Sequence, residues 1–255
     1  MQTISNRVRS AFARRFLLSL RRATHRLPVQ LETLQRQRVM VIAPHMDDEA
    51  IGPGGTVLAA VAQGAEVGVV VVSDGSEGLT GAEAAAHTER RAAESRAAAA
   101  LMGTELVEVL GHPDGALCRH EPEVAADLGR LLDRWAPRRV MVPFPTDHHR
   151  DHQATAAALA RAIEAGGWEG DVWGYEAWST LWPNVAVDIS DRVDDKRAAL
   201  GCFSSQMAGL GYVDATLGLN AFRGLRVGVA HAEAFHRAPA AGWVRICDDL
   251  IDRIT

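Results

Sequence analysis

From residue 38 onwards, short apolar runs of strand length alternate with longer segments of helical periodicity. The runs Val39–Ala43, Val67–Val72 and Val140–Val142 contain no charged side chain, which is typical of strands buried on both faces. Such strands alternate with helices in proteins whose parallel sheet is covered on both sides. We therefore predict an α/β fold with a mostly parallel sheet and helices on both faces. The predicted strands are 39–43, 66–72, 105–110, 139–143, 172–178 and 184–189, and the predicted helices are 53–63, 82–102, 121–135, 152–165 and one beginning near residue 191.

A dense group of polar residues follows the first of these strands. The stretch His45–Glu49 contains one histidine and three acids, and open α/β sheets bind ligands at the carboxyl ends of their strands. A helix N-cap would account for one or two of the acids, but it would leave the histidine unexplained. Because unpaired buried carboxylates are costly, we interpret this stretch as a metal or catalytic site.

A second polar group, the stretch Asp147–His152, follows the predicted strand 139–143. Because parallel strands end at the same edge of a sheet, His45, Asp48 and His152 are placed to bind one cation. Two imidazoles and one carboxylate, with one position open to water, form a usual ligand set of catalytic zinc, and ferrous iron takes the same ligands. The alternative for the second group alone is a solvated loop that happens to be rich in histidine.

The other polar residues of the two groups have predicted catalytic roles. Zinc lowers the pKa of its bound water toward about 7, and Asp47, beside the predicted ligand Asp48, is the candidate general base for that water. His149 is the candidate for stabilising the oxyanion, for protonating the leaving group, or for both. Asp151 would orient an imidazole, because histidines that bind metals usually have a second hydrogen-bond partner.

The two motifs together resemble a known family. His45-Met46-Asp47-Asp48-Glu49 after a strand, followed later in the chain by His149-Arg150-Asp151-His152, resembles the LmbE-like (PIG-L) N-acetylglucosaminyl deacetylases. The resemblance extends over most of the chain from about residue 38 and implies a Rossmann-like fold. It also implies zinc on the three ligands named above, Asp47 as the general base, and His149 as the residue that stabilises and protonates the tetrahedral intermediate. Met46 and Arg150 stand where the family usually has proline.

Two further residues are candidates for substrate binding. Arg91 and Asp114 fall where the resemblance implies contacts with the sugar and its aglycone. From the residues alone, Arg91 could instead pair with Glu94, and Asp114 could simply form a turn with Gly115.

The composition excludes some classes of protein. The net charge of -5 does not indicate nucleic-acid binding. The three cysteines, Cys118, Cys202 and Cys247, are far apart and form no Cys-x-x-Cys pair, so neither a disulfide framework nor a thiolate zinc site is indicated. A reducing compartment fits this pattern, and we expect a cytoplasmic protein.

Residues 1–37 differ from the rest of the chain. Residues 1–40 contain nine arginines against the single acid Glu32, and Phe12, Phe16 and Leu20 recur at helical spacing. We predict a basic amphipathic extension over residues 1–37, before a single domain over 38–255. Its apolar run is too short for a signal peptide or a membrane span. Residues 7–27 could lie on the inner face of a membrane, or could pack on their own domain or on a partner subunit.

The predicted function is a zinc-dependent hydrolase, with Fe²⁺ as an alternative metal. It would remove an acyl group, acetyl by the resemblance, from an N-acylated amino sugar that is either a small molecule or linked to a lipid. One alternative is an amidase of the same fold that acts on a non-sugar or thiol-conjugate amide. A nucleotide- or sugar-binding protein is disfavoured because no Gly-x-Gly-x-x-Gly follows the first strand. A two-metal phosphoesterase would need a bridging carboxylate and more ligands.

Overall fold

The computed structural model describes residues 29–34, 36–76, 79–207 and 211–250. The amphipathic helix and the membrane contact predicted near the N-terminus fall on residues 1–28, outside these ranges. The described strands are β1 (Gln30–Leu31), β2 (Arg38–Ala43), β3 (Glu66–Ser73), β4 (Glu105–His112), β5 (Arg139–Pro143), β6 (Asp171–Tyr175), β7 (Val185–Asp188) and β8 (Ala232–Pro239). The described α-helices are α1 (Asp48–Ile51), α2 (Gly54–Ala62), α3 (Gly81–Met102), α4 (Glu121–Trp135), α5 (Arg150–Gly166), α6 (Val193–Gly201), α7 (Ser204–Met207), α8 (Tyr212–Val227) and α9 (Ala240–Leu250).

The eight strands form one sheet in the order β1-β7-β8-β6-β5-β2-β3-β4. All pairs are parallel except those of β8, which is antiparallel to both β6 and β7. Successive residues of a strand point to opposite faces, so Val39 and Val41 belong to one apolar core while Met40 and Ile42 belong to the other. Helices α2, α3 and α6 pack on the first face, and α4, α5 and α9 on the second. The predicted α/β fold class is confirmed.

The ends of the chain hold the main differences from the predicted elements. Strand β1 lies within the segment assigned to an extension, and Gln30 and Leu31 pair with Val185 and Ala186 of β7, so the sheet begins before residue 38. The predicted strand 172–178 ends at Tyr175. Neither α8 nor β8 is clearly predicted by the sequence pattern. No described helix has both the length and the apolarity needed to cross a membrane.

A buried ion pair fixes the turn between α1 and α2. The Lys196 ammonium is fully buried, lies 2.5 Å from Glu233 Oε1, and donates to the Ile51 carbonyl oxygen at 2.8 Å. Glu233 in turn accepts hydrogen bonds from the backbone N–H groups of Gly55 and Thr56, both at 2.7 Å. These contacts hold the start of α2 against the end of α1, which carries the first polar motif.

Gly52, at this turn, is required for a steric reason. A Cβ atom added there would lie 2.3 Å from Cδ2 of Tyr175. The Tyr175 ring is buried, and its hydroxyl donates to the Ile42 carbonyl oxygen at 3.0 Å. The close approach of the turn to the ring therefore depends on the absence of a side chain at residue 52.

Candidate metal centre and active site

The first polar motif turns sharply where β2 ends. Asp47 has φ of 148° and ψ of -25°, a backbone conformation that is strained for a residue with a Cβ and that occurs mainly at functional sites. Just after this turn, Asp48 Oδ2 accepts from the His45 backbone N–H at 3.0 Å and lies 3.3 Å from His45 Nδ1. The strained turn thus places Asp48 against His45 and leaves Asp47 beside both.

The second motif meets the first at this edge of the sheet. His152 lies in the first turn of α5, and its Nε2 is 3.2 Å from Asp48 Oδ2. The ring centroids of His45 and His152 are 5.4 Å apart, and that of His149 lies 4.7 Å from His45 and 4.9 Å from His152. The structure therefore brings together the three predicted ligands, and it adds a third imidazole within reach.

The residues fit a divalent cation. Three buried atoms of the cluster, Asp48 Oδ1 and both ring nitrogens of His152, have no hydrogen-bond partner among the described residues. Buried polar atoms are normally satisfied, and a bound cation would take Asp48 Oδ1 and His152 Nε2, while His152 Nδ1 faces Asp147 at 3.3 Å. Two groups of side chains have ligand atoms within 4.8 Å of one another: His45, His149 and His152 form one, and His45, Asp114 and Asp151 form the other. Imidazole and carboxylate donors suit zinc and ferrous iron.

The charge of the site also favours a cation. Burial alone would lower the pKa of His152, but Asp48 and Asp147 more than offset this and raise it to about 9. Burial opposes ionisation of Asp48 as well, yet the neighbouring histidines His152 and His45 hold its pKa far below the ordinary value. The imidazoles are thus surrounded by ionised carboxylates, which attract positive charge.

Asp47 differs from its neighbour Asp48 because it remains protonated to higher pH. Burial and the charge of Asp48 raise the pKa of Asp47 well above its ordinary value, and the guanidinium of Arg91 opposes this rise. Arg91 Nη2 lies 3.9 Å from Asp47 Oδ2. A raised pKa increases the affinity of a carboxylate for a proton, which is the property that a general base needs.

Arg91 and Asp114, the candidate substrate-binding residues, both lie at the edge of the centre. Arg91 is buried, donates to the Met46 carbonyl oxygen at 3.1 Å, and lies 3.6 Å from Asp114 Oδ2 through Nη1. Asp114 Oδ1 is 3.3 Å from His45 Nε2. Both side chains thus lie against the first polar motif, and their contact with a substrate stays a prediction.

His149 is held in one tautomer by the start of α5. It is the N-cap residue of that helix, and its Nδ1 accepts from the Asp151 backbone N–H at 3.2 Å. Burial lowers the pKa of His149, and the neighbouring imidazoles lower it further. The ring is therefore neutral at pH 7 with its proton on Nε2, so that nitrogen can donate a hydrogen bond.

Asp151 and Asp147 support the histidines. Asp151 accepts from the backbone N–H groups of Gly115 and Leu117 at 2.8 and 3.0 Å, and its Oδ2 lies 3.2 Å from His45 Nε2. This matches the position expected of a residue that orients an imidazole. Asp147 lies 3.3 Å from His152 Nδ1 and accepts from the Trp178 backbone N–H at 3.0 Å.

Two of the site's acids have no role in the sequence interpretation. Asp147 appears there only as part of its motif, because its contact with His152 depends on the conformation of the loop. Glu49 accepts from the Asp47 backbone N–H at 2.9 Å, so it supports the strained turn, and burial raises its pKa to about 7. The only sequence signal for either acid is its adjacency to a motif histidine or aspartate.

Fold and site together define a class: an α/β protein with a buried histidine–carboxylate centre at the carboxyl edge of its sheet. Residues 40–163 match the model of the PIG-L family, described as GlcNAc-PI de-N-acetylase. The chain belongs to the PIG-L family.

Similar proteins extend the match beyond those residues. The conserved protein TT1542 from Thermus thermophilus is 31% identical, with a TM-score of 0.70 over 78% of this chain and 94% of its own. A diacetylchitobiose deacetylase from Thermococcus kodakarensis is 29% identical over 67% of this chain and 70% of its own length. A 1D-myo-inositol 2-acetamido-2-deoxy-alpha-D-glucopyranoside deacetylase from Mycobacterium sp. is 32% identical over 49% of this chain and 51% of its own length. The chain thus spans about half of that mycobacterial relative.

Proposed function

We propose that this protein is a metal-dependent deacetylase that hydrolyses the amide of an N-acetylated amino sugar. The observation that carries the proposal is the convergence of a strained Asp47, the buried set His45, Asp48 and His152, and a neutral His149 at one edge of the sheet. Both relatives with named activities are deacetylases, and the substrates in their names contain an N-acetylated glucosamine unit. That shared unit supports an N-acetylated amino sugar as the substrate class. The group to which the sugar is linked differs between the two relatives.

The metal we propose is zinc, held by His45, Asp48 and His152, with ferrous iron as the alternative that the same donors would accept. When bound, such a cation supplies a Lewis acid and lowers the pKa of a coordinated water toward about 7. Asp151 keeps the His45 ring in place, and Asp147 does the same for His152. Both acids keep their charge, because their pKa values are lowered by hydrogen bonds that outweigh their burial.

The reaction that we propose uses two side chains, Asp47 and His149. The Asp47 carboxylate accepts a proton from water as the water oxygen bonds to the acyl carbon. The Nε2–H of His149 donates a hydrogen bond to the oxyanion that develops on the former carbonyl oxygen. The C–N bond then breaks, the leaving nitrogen takes the proton from Asp47, and acetic acid and a free amine result; the acid then gives its proton to the amine, which leaves acetate.

The lowered pKa of His149 refines its predicted dual role. A neutral imidazole is a good hydrogen-bond donor but a poor acid. We therefore assign it to the oxyanion and assign the proton transfer to Asp47, whose raised pKa suits a group that gains and then loses a proton.

The test compares Asp47→Asn with the wild type. We expect loss of acetate release from N-acetylglucosamine conjugates by a factor of about 10² to 10⁴, with the metal content by elemental analysis unchanged. Asp133→Asn is the matched control, because Asp133 is exposed on α4 and should keep full activity. Asp47→Asn with wild-type activity would refute the general-base role. Metal-loaded wild-type protein that releases no acetate from any such conjugate would refute the deacetylase assignment.

A further inference from the structure

A pocket of about 400 Å³ opens beside the catalytic centre, between α8 and the loop after β6. A pocket of this size is within the range that holds small ligands. Its walls are mostly apolar or aromatic. They include Ile51, Trp178, Tyr212, Ala215, Leu219 and Asn220.

Three of the pocket residues connect it to the centre. Ile51 is the last residue of α1, the helix that begins with Asp48. Trp178 donates its backbone N–H to Asp147. Burial raises the pKa of Tyr212, and the nearby charges of Asp47, Asp48 and Asp147 raise it further. These contacts place the pocket next to the centre.

The pocket walls select against charged groups. Glu176 and Glu233 both line the pocket, but each is already paired, Glu176 with Arg223 and Glu233 with Lys196. No lysine or arginine is among its lining residues in the described part of the chain. An anionic group would enter without a counter-ion and lose its hydration, which is costly.

Two features select for a ring that carries a hydrogen-bond donor. Trp178 and Tyr212 pack edge to face with ring centroids 4.9 Å apart, and Trp178 remains 51% exposed, which offers an aromatic surface. Asn220 is 5% exposed, and its Oδ1 has no hydrogen-bond partner among the described residues. A buried acceptor of this kind is normally satisfied, and a donor on a bound ligand would satisfy it.

We propose that this pocket binds the aglycone of the substrate, and that the aglycone is an uncharged, largely apolar ring with a hydrogen-bond donor. The proposal rests on the proposed deacetylase function, because it places the reacting amide at the neighbouring centre. It narrows the substrate class to N-acetylglucosaminides whose aglycone is an aryl group or a similar ring. It disfavours phosphorylated or carboxylated aglycones.

The test uses the metal-loaded full chain and three probes: the phenyl glycoside, the methyl glycoside and the 1-phosphate of N-acetylglucosamine. We expect kcat/KM for the phenyl glycoside to exceed that for the methyl glycoside by about tenfold, because an aromatic ring buries a large apolar area. The 1-phosphate should be the poorest substrate. Ala215→Phe should remove the phenyl-over-methyl preference, because Ala215 lines the pocket and is exposed enough to accept a ring.

The control is Ala221→Phe, the same change on the same helix outside the pocket lining, which should keep the preference. A wild type that deacetylates phenyl and methyl glycosides equally, or that prefers the 1-phosphate, would overturn the pocket's assignment and leave the deacetylase function standing. Calorimetry with the amine product, phenyl glucosaminide, tests the pocket without turnover. Tighter binding to wild type than to Ala215→Phe would support the assignment, and equal binding would overturn it even if no glycoside were hydrolysed.

Discussion

Replacing Lys196 by methionine tests how the turn that carries the first motif is held. Lys196 is fully buried, and its ammonium contacts Glu233 and the carbonyl oxygens of Ile51 and Gly52 at 2.5, 2.8 and 3.4 Å. Methionine can fill the space of the aliphatic stem, so the substitution removes the charge and the three contacts with little change in packing.

The size of the destabilisation depends on the Glu233 charge, which stays buried after the substitution. Breaking a buried ion pair by removing one partner costs about 3–5 kcal/mol, because the other charge stays buried without compensation. Glu233 keeps two backbone donors, from Gly55 and Thr56 at 2.7 Å, which partly stabilise its charge. We therefore expect Lys196→Met to lower the free energy of unfolding by about 3 kcal/mol, at the lower end of that range.

The assay is urea unfolding at pH 7 of both single variants and the double variant Lys196→Met/Glu233→Gln. The double variant should lose less than the sum of the single losses, because it buries no unpaired charge. Arg197→Met is the control, since Arg197 pairs with Asp214 at the surface and should change stability by less than about 0.5 kcal/mol. A loss below about 1 kcal/mol for Lys196→Met, or additive losses in the double variant, would refute the argument.

Three further predictions concern packing, thiols and metal. Gly52→Ala should cost about 1–3 kcal/mol by overlap with the Tyr175 ring, whereas Gly218→Ala, which meets no atom within 4 Å, should be neutral or stabilising in urea unfolding. At pH 8 a thiol reagent should modify the exposed Cys118 first and leave Cys247 unmodified, because burial raises the pKa of Cys247. Chelation should lower the melting temperature, and zinc at about 1,000 times its Kd should restore about 4 kcal/mol. The packing prediction would be contradicted if the two glycine substitutions had equal effects, and the thiol prediction if Cys247 were modified early. The metal prediction would be contradicted if chelation left the melting temperature unchanged.

The strands of the sheet centre are predictable from sequence because they are buried on both faces. A run such as Val67–Val72 has no polar face to satisfy, so its environment is visible in its composition. Strand β8 was not predicted, because Glu233 interrupts its apolar residues. That acid is buried only because Lys196 pairs with it from another element, and such a contact is not visible in local sequence.

The candidate site shows the same division. His45 and Asp48 are close in sequence. Each motif follows a predicted parallel strand, and such strands end at the same edge of a sheet, so the sequence also predicted that His152 lies close to them. The orienting contact of Asp147 and the pocket beside Tyr212 depend on a loop conformation and on the position of α8. These are set by packing between distant parts of the chain, so no local pattern could predict them.

The position of β8 has a consequence for the order in which the sheet assembles. This strand lies near the end of the described chain, yet it pairs with β6 on one side and β7 on the other. Strands β2 to β6 can associate as soon as they are synthesised, whereas β7 and β1 have no place in the sheet until residues 232–239 arrive. Contacts of such large sequence separation form slowly. Until then β6 is an open edge, and it is the place where an incompletely synthesised chain would pair with another molecule.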